Sequence, residues 1–528
     1  MARSRFLVLV TSVVLLAAAC GSRLTPQQLA IAQSAGKATP AAAETGSGGS
    51  GSQSTGQAQG GTSVPSGLSS LTTIGGAGSA LTAGGGTNSL GRSTSGGSST
   101  SGSASTGSPG AGQGGSGTGG TSSPGSGTGG AGLGISLAAP NGQTCSSAPV
   151  SGVPGVTNST ITVGNVSTLT GPVPGLFTGA MDAMQAFAAY INSNGGVCGR
   201  QLKVDAADDD LDPSQNATAT QSLAGQVLAF VGSFSIDDQG GASVLASDGV
   251  PDISQAISPE AFELPNNFSP QPAPPGWGAA PFVYFKQRFG EGVITHMAYF
   301  AEEAAEQESQ EQEQAMESVG YKFVYSEDDV QPTQTDFTAE VEAMQADGVK
   351  GLIFQAPAAT VGDMAKDMYD AGFSVPFANW GVPAYDPQFL ATAGPGANGA
   401  VLDIPTAMFG GQDAGDVPEV ALFDKYYDAL YGAEPNLYAA YAWMSGMLFV
   451  EGLNAGGAPT RTALLSGLKT ITDFTADGLS APDNPAGKKP PVCYIVVDVS
   501  DGRFVRDSAD PASGFRCDAG AYWYYTNG

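Results

Sequence analysis

An alternation that begins at residue 161 limits the fold more than any other feature of this chain. Short β-rich runs are followed, at near-regular spacing, by segments of helical period. The run 161–166 (ITVGNV) ends at the turn formers Thr170, Gly171 and Pro172. Met184, Phe187, Ala188 and Ile191 then fall at i, i+3, i+4 and i+7, one apolar helix face, and Asn194-Gly195-Gly196 stops that helix. Residues 201–206 predict the next strand and 227–232 a buried one. Between them, Asp212, Pro213 and Gln215 read as an N-cap, a proline at N1 and a capping-box glutamine. Strand, helix, strand, helix in this rhythm makes a parallel sheet covered on both faces.

The rhythm resumes after a proline-rich break at 270–281. Strands are predicted at 293–300, 321–325, 351–355 and 375–379. Helices are predicted at 302–318, around Phe337, Val341 and Met344, and around Met364 and Met368. Residues 400–404 read as a strand returning across the molecule, followed by helices near 417–431 and 438–453. A terminal hairpin, 492–499 with 503–505, turns at Asp501-Gly502. The expected fold is α/β, two doubly wound parallel-sheet lobes of roughly 120–190 residues each.

What precedes these lobes differs in kind. Arg3 and Arg5 open the chain, residues 6–19 are apolar to neutral, and Ala17-Ala18-Ala19 leads into Cys20. A basic start, a short apolar stretch and small residues before a cut describe an export signal, and the stretch is shorter than the about 20 residues that span a membrane. From 46 to about 140 the chain is Gly, Ser, Thr and Ala with scattered Pro, and Arg92 is its only charge. Such composition buries too little apolar surface to offset the entropy of ordering, so a flexible tether is expected, with a root-mean-square span of roughly 50–60 Å. The expected division is a signal peptide at 1–19, a disordered tether at 20–140 and a folded domain at 141–528.

Charge and residue usage exclude several functions. Lys and Arg number 20 against 48 Asp and Glu, a net charge of −28, and 15 of the bases and 47 of the acids follow residue 140. So acidic a domain has no general attraction for phosphate backbones, and no nucleic-acid partner is expected. His296 is the only histidine, which disfavours His-based catalysis and His-rich metal sites. Four cysteines follow the tether, Cys145, Cys198, Cys493 and Cys517, an even number that in an exported chain argues for two disulfides with three possible connectivities. In a βαβ unit the strand's start and the helix's end share one sheet edge, which favours Cys145–Cys198 and leaves Cys493–Cys517.

Other motifs read as structure. Gly394, Gly396 and Gly399 satisfy G-x-G-x-x-G but precede a strand instead of opening a helix, so a turn is expected. The acidic run Asp208-Asp209-Asp210 with Asp212 lacks the spacing of a calcium loop and sits at a strand end and helix cap. Glu302, Glu303, Glu306, Glu308, Glu311, Glu313 and Glu317 read as a solvated helix face. His296, inside a strand pattern, reads as structural. No metal or cofactor is expected, and no nucleophile–base pair suggests an enzyme.

Leu169-Thr170-Gly171-Pro172, Ile191-Asn192, Asn194-Gly195-Gly196, Gly199-Arg200, Asp212-Pro213 and Val231-Gly232, in this order and spacing, resemble the leucine/isoleucine/valine-type periplasmic solute-binding proteins of ABC transporters. Cys20 after small residues likewise resembles the lipobox of bacterial lipoproteins, in which that cysteine carries the lipid. The resemblance implies the type 1 periplasmic binding fold, with a ligand cleft between two lobes joined by crossing hinge strands. One lobe would take about 158–280 and 406–475, the other about 281–405 and 476–528. It also implies a lipid-anchored protein on the extracytoplasmic face of the cell membrane that delivers a small polar ligand, of the amino-acid-transport type, to an ABC permease. A ligand sensor of the same fold that signals without transport is the alternative.

By the same resemblance, hydroxyl groups after Gly232 hold a ligand's carboxylate. Here that stretch is Ser233, Phe234, Ser235, Ile236, Asp237 and Asp238, where carboxylates oppose an anionic ligand end. Gln255, Ile257 and Ser258 keep the family's pattern in the next loop. Ala304-Ala305 and Pro357-Ala358 stand where aromatics are expected, and Gly381 where an acid is. Trp380 and Tyr385 remain as stacking candidates, with Trp277 near the hinge. The expected ligand carries a cationic or neutral hydrogen-bonding end and is not a branched-chain amino acid.

Overall fold

Val and Ile at alternate positions of the first run explain its place: Ile161 and Val163 bury on one face of a sheet, Val166 on the other. The computed structural model describes residues 144–290, 293–297, 303–327, 330–331, 333–518 and 523–524. Cys20, the signal segment and the tether lie outside the described residues.

Thirteen strands are seen among these residues: β1 Thr160–Ser167, β2 Gln201–Asp208, β3 Phe230–Val231, β4 Asp252–Ile253, β5 Trp277–Gly278, β6 Val293–Met297, β7 Lys322–Glu327, β8 Gly351–Phe354, β9 Phe377–Asn379, β10 Val401–Ile404, β11 Ile495–Ser500, β12 Arg503–Arg506 and β13 Trp523–Tyr524. A first, all-parallel sheet has the order β2-β1-β3-β4. A second has the order β12-β11-β10-β9-β8-β6-β7, parallel from β10 to β7, with β11 and β12 antiparallel at its other edge. This is the expected doubly wound α/β class.

Both faces of each sheet are covered. Val231 packs with Phe187 of the helix Thr178–Ser193, and Phe230 with Ala219 and Leu245 on the opposite face. Leu352 and Phe354 meet Val361 and Met364, whereas Ile353, Phe377 and Val496 meet Phe282, Phe285 and Met316.

The predicted elements are present; β1, β2, β7 and β12 run slightly longer than expected, and β8, β9, β10 and β11 shorter. In the run 227–232 only Phe230–Val231 is a ladder strand, although Leu228 N–H donates to the Thr162 carbonyl at 2.9 Å and Gly164 N–H to the Ala229 carbonyl at 2.9 Å, so the run still lies along β1. Asp212 caps its helix by accepting from Ser214 and Gln215 N–H, but its own N–H donates to the Asp209 carbonyl, not to a reciprocal glutamine. Asp501 and Gly502, at φ 52° and 69°, make the left-handed hairpin turn. Gly394–Ala397 is a short 3-10 helix before β10. Asp208 and Asp209 are engaged locally, accepting from Leu169 N–H and Asn216 Nδ2. The disulfides are Cys145–Cys198 and Cys493–Cys517, the pairing that the βαβ geometry favours.

The chain passes between the sheets three times, through 269–279, 405–417 and 469–494, and the passes are bonded together. Gln271 Nε2 donates to the Pro405 carbonyl at 2.9 Å and to Ser480 Oγ at 2.7 Å. Ala407 N–H reaches the Leu479 carbonyl and Ala481 N–H the Pro405 carbonyl, each at 2.8 Å.

Candidate functional site

Strand order reverses between β1 and β3 in the first sheet and between β6 and β8 in the second. Open α/β sheets bind ligands beyond the carboxyl ends of the strands at such points. A cavity of about 280 Å³ lies there, lined by residues following β3, β4, β6, β8 and β9 and by the crossings. It is near the lower end of small-molecule pockets, about 300–1,000 Å³.

One wall is aromatic. Phe177, Phe234 and Tyr438 meet with ring centroids 4.6–4.9 Å apart, and Tyr441 stacks on Phe234 at 5.9 Å. Tyr438 and Tyr441 stand three apart on the helix Leu437–Gly456, so both face the same way. Burial raises both hydroxyls above their ordinary value, which keeps them protonated.

The opposite wall is acidic. Glu308 and Glu311 come from the helix Glu303–Ser318, and Asp403 from β10. Burial, with the Glu311 charge beside it, pushes Glu308 up to about 7, against the stabilising hydrogen bond from Gln355 Nε2 at 3.1 Å. Burial also pushes Asp403 up to about 7, although Asn379 Nδ2 donates to it at 2.8 Å. Glu311 accepts from Gly276 N–H at 2.6 Å and from Gln307 Nε2 at 3.0 Å, joining this wall to the first crossing. The solvated-face expectation therefore fails for Glu308 and Glu311, because the second sheet turns that side of the helix inward. Glu306 and Glu317 are exposed as expected.

Of the residues singled out in the sequence, Phe234, Gln255 and Ile257 line the cavity, as do Trp277, Ala305 and Pro357. Ser235 and Asp238 line a separate polar recess of about 40 Å³. Asp238 accepts from Ile257 and Ser258 N–H at 2.7 and 3.0 Å, bracing that loop, and its side chain caps no helix. Burial pushes it up to about 7. Asp237 is buried and accepts from Gln239 Nε2 at 3.4 Å, outside both linings. Ser258 Oγ caps the helix Pro259–Phe262 through Ala261 N–H.

Trp380 and Tyr385 do not reach the cavity. Trp380 packs on Phe389, and Tyr385 sits edge-on to Phe409 and Phe504 with its hydroxyl on Gln412. Each is only 2% exposed, because the turn after β9 folds them into the core. His296 lies in β6, as its pattern implied.

The sequence reading missed Tyr438, Tyr441, Glu308 and Asp403. The i, i+3 tyrosine pair on an apolar helix was a legible signal. Nothing local separates Glu308 from Glu306.

Comparison with known proteins agrees with this geometry. A family model described as periplasmic binding protein matches residues 160–503. The Leu/Ile/Val-binding protein homolog 2 of Brucella abortus is 24% identical over 329 residues, 61% of this chain and 85% of that protein. Among solved structures, a fatty acid ABC transporter substrate-binding protein from Thermomonospora curvata aligns with TM-score 0.58 and 20% identity, over 72% of this chain and 96% of its own. A branched chain amino acid ABC transporter protein from Thermus thermophilus with bound valine aligns with TM-score 0.58 and 14% identity, over 68% and 97%.

Proposed function

Because the chain belongs to the periplasmic binding protein family, we propose that it captures a small ligand between its two sheets and hands it to an ABC importer. The observation that carries this reading is the position of the cavity, walled from both sheets and spanned by three bonded crossings. A ligand that touches both walls favours the closed arrangement by its differential contacts, so capture is hinge closure and needs no bond chemistry. The lobes that move are taken as 158–280 with 406–475, and 281–405 with 476–528. Acylated Cys20 and the Gly/Ser-rich tether would hold the domain outside the membrane, within reach of a permease.

The reading is tested on the full chain with a solute panel of amino acids, amides, polyamines, sugars and aromatic acids. A true ligand raises the melting temperature and lowers the radius of gyration in small-angle scattering. Leucine, isoleucine and valine are expected to show no micromolar binding by calorimetry. A panel in which nothing moves either quantity would sink the reading.

A further inference from the structure

The charged side chains that line the cavity are all acidic. Glu308, Glu311 and Asp403 bring carboxyl groups to its lining, and the described lining residues include no Lys, Arg or His. Three lining glutamines donate to the protein through Nε2. Gln255 Nε2 donates to the Gln271 carbonyl at 2.9 Å, Gln271 Nε2 to Pro405 and Ser480, and Gln355 Nε2 to Glu308. Their three Oε1 atoms are buried, and no protein donor reaches them. An acceptor buried without a donor is costly, so these amides add acceptor character and no free cation to the surroundings of the cavity.

The backbone donors of residues 256–258, after β4, are spent. Ile257 and Ser258 N–H are taken by the Asp238 carboxylate, and Ala256 N–H donates to Ser269 Oγ at 3.2 Å. This internal carboxylate occupies the very N–H pair that a ligand carboxylate would need at that loop. Two cations next to lining residues are also engaged. Lys488 lies over the Phe262 ring at 4.6 Å and donates to its carbonyl, and Arg516 pairs with Asp510 and Asp518. The aromatic wall, by contrast, attracts cations through the ring faces and packs apolar surface.

We propose that the cavity takes an organic amine as its ammonium ion, its apolar body against the Phe177, Phe234, Tyr438 and Tyr441 rings and its N–H groups toward Glu308 and Asp403. Carboxylates, and amino acids through their carboxylate, are disfavoured by the like charges of Glu308, Glu311 and Asp403. This assignment rests on the solute-binding reading above and narrows it to one ligand class.

A matched set of probes tests it by calorimetry on the purified full chain: 2-phenylethylamine, 2-phenylethanol, 3-phenylpropanoate and leucine. The amine is expected to bind at least about tenfold more tightly than the alcohol, with no binding of the other two. At pH 8, where Glu308 is mostly ionised, Glu308→Gln should weaken the amine about tenfold and leave the alcohol within about twofold, since the substitution removes the charge and keeps the shape. Asp403→Asn, on a different element, gives a second reading, and an unchanged melting temperature for either variant shows that the fold is retained. The amine assignment falls if the propanoate or leucine binds as tightly as the amine, or if neither variant weakens the amine. It also falls if the amine does not bind. Binding of leucine or the propanoate would then leave solute capture standing, and with no probe bound the melting and scattering panel decides that wider reading by itself.

Discussion

Gln271 donates through Nε2 to Ser480 Oγ at 2.7 Å, tying the first crossing of the chain to the third. The same nitrogen reaches the Pro405 carbonyl of the second, so one side chain joins all three passes between the sheets. Replacing it as Gln271→Leu leaves the Pro405 carbonyl without this donor. The Pro405 carbonyl keeps the Ala481 N–H, so each lost bond costs about 0.5–1.5 kcal/mol, and the urea midpoint should fall by that free energy divided by an unchanged slope. An unaltered midpoint would mean that the tie contributes nothing.

The disulfides should act at different strengths. Cys145–Cys198 closes a separation of 53 residues and Cys493–Cys517 one of 24. On chain entropy alone these correspond to about 4 and about 3 kcal/mol. Serine pairs at each bridge should lower stability in that order, and non-reducing peptide mapping should recover these two linkages only. Recovery of Cys145 joined to Cys493 would contradict the structure.

Glu419 makes stability depend on pH. It is buried under Trp443, whose Nε1 donates to Oε1, while Oε2 has no protein donor. Burial pushes it up from 4.5 to about 8, so between those values the native state keeps a proton that the unfolded state releases. Stability from this group is therefore fully present below about pH 4.5 and is lost as pH rises toward about 8. Glu308, Asp403 and Asp424, raised to about 7, act in the same direction. Glu419→Gln keeps an acceptor for Trp443 and removes the charge. Relative to the parent it should gain stability at pH 8 and not at pH 5, as read from urea midpoints. Equal effects at the two pH values would rule out the proton linkage.

Membrane attachment should depend on one atom, the Cys20 sulfur. Two or more acyl chains give stable anchoring where one gives only marginal binding. Intact-mass analysis of the membrane fraction should find a chain that begins at acylated Cys20, and Cys20→Ala should release the protein. A soluble parent chain cut elsewhere would defeat this.

The periodicity of 161–405 was enough to establish the α/β class and the run of its main elements, and the geometry of a βαβ unit favoured the cysteine pairing that the structure shows. Phe234, Gln255 and Ile257 were legible because they follow strand ends, where such sheets place their sites. The acidic wall was not. Glu306 and Glu308 differ by two positions on one helix, and only the sheet beneath decides which faces water. Trp380 and Tyr385 had the right chemistry and the wrong direction, since a turn's course after β9 is set by packing against Phe389, Phe409 and Phe504. Asp238 likewise looked like a ligand group until the fold brought Ile257 and Ser258 N–H, about twenty residues away, onto its carboxylate. Sequence alone determined the α/β alternation and the order of the elements read from it, but not the helices Gln239–Asp248 and Ala280–Phe289 or the short strand β4. Tertiary structure decided which side chains share the cavity, because a cleft between two sheets is made by contacts between segments far apart in the chain.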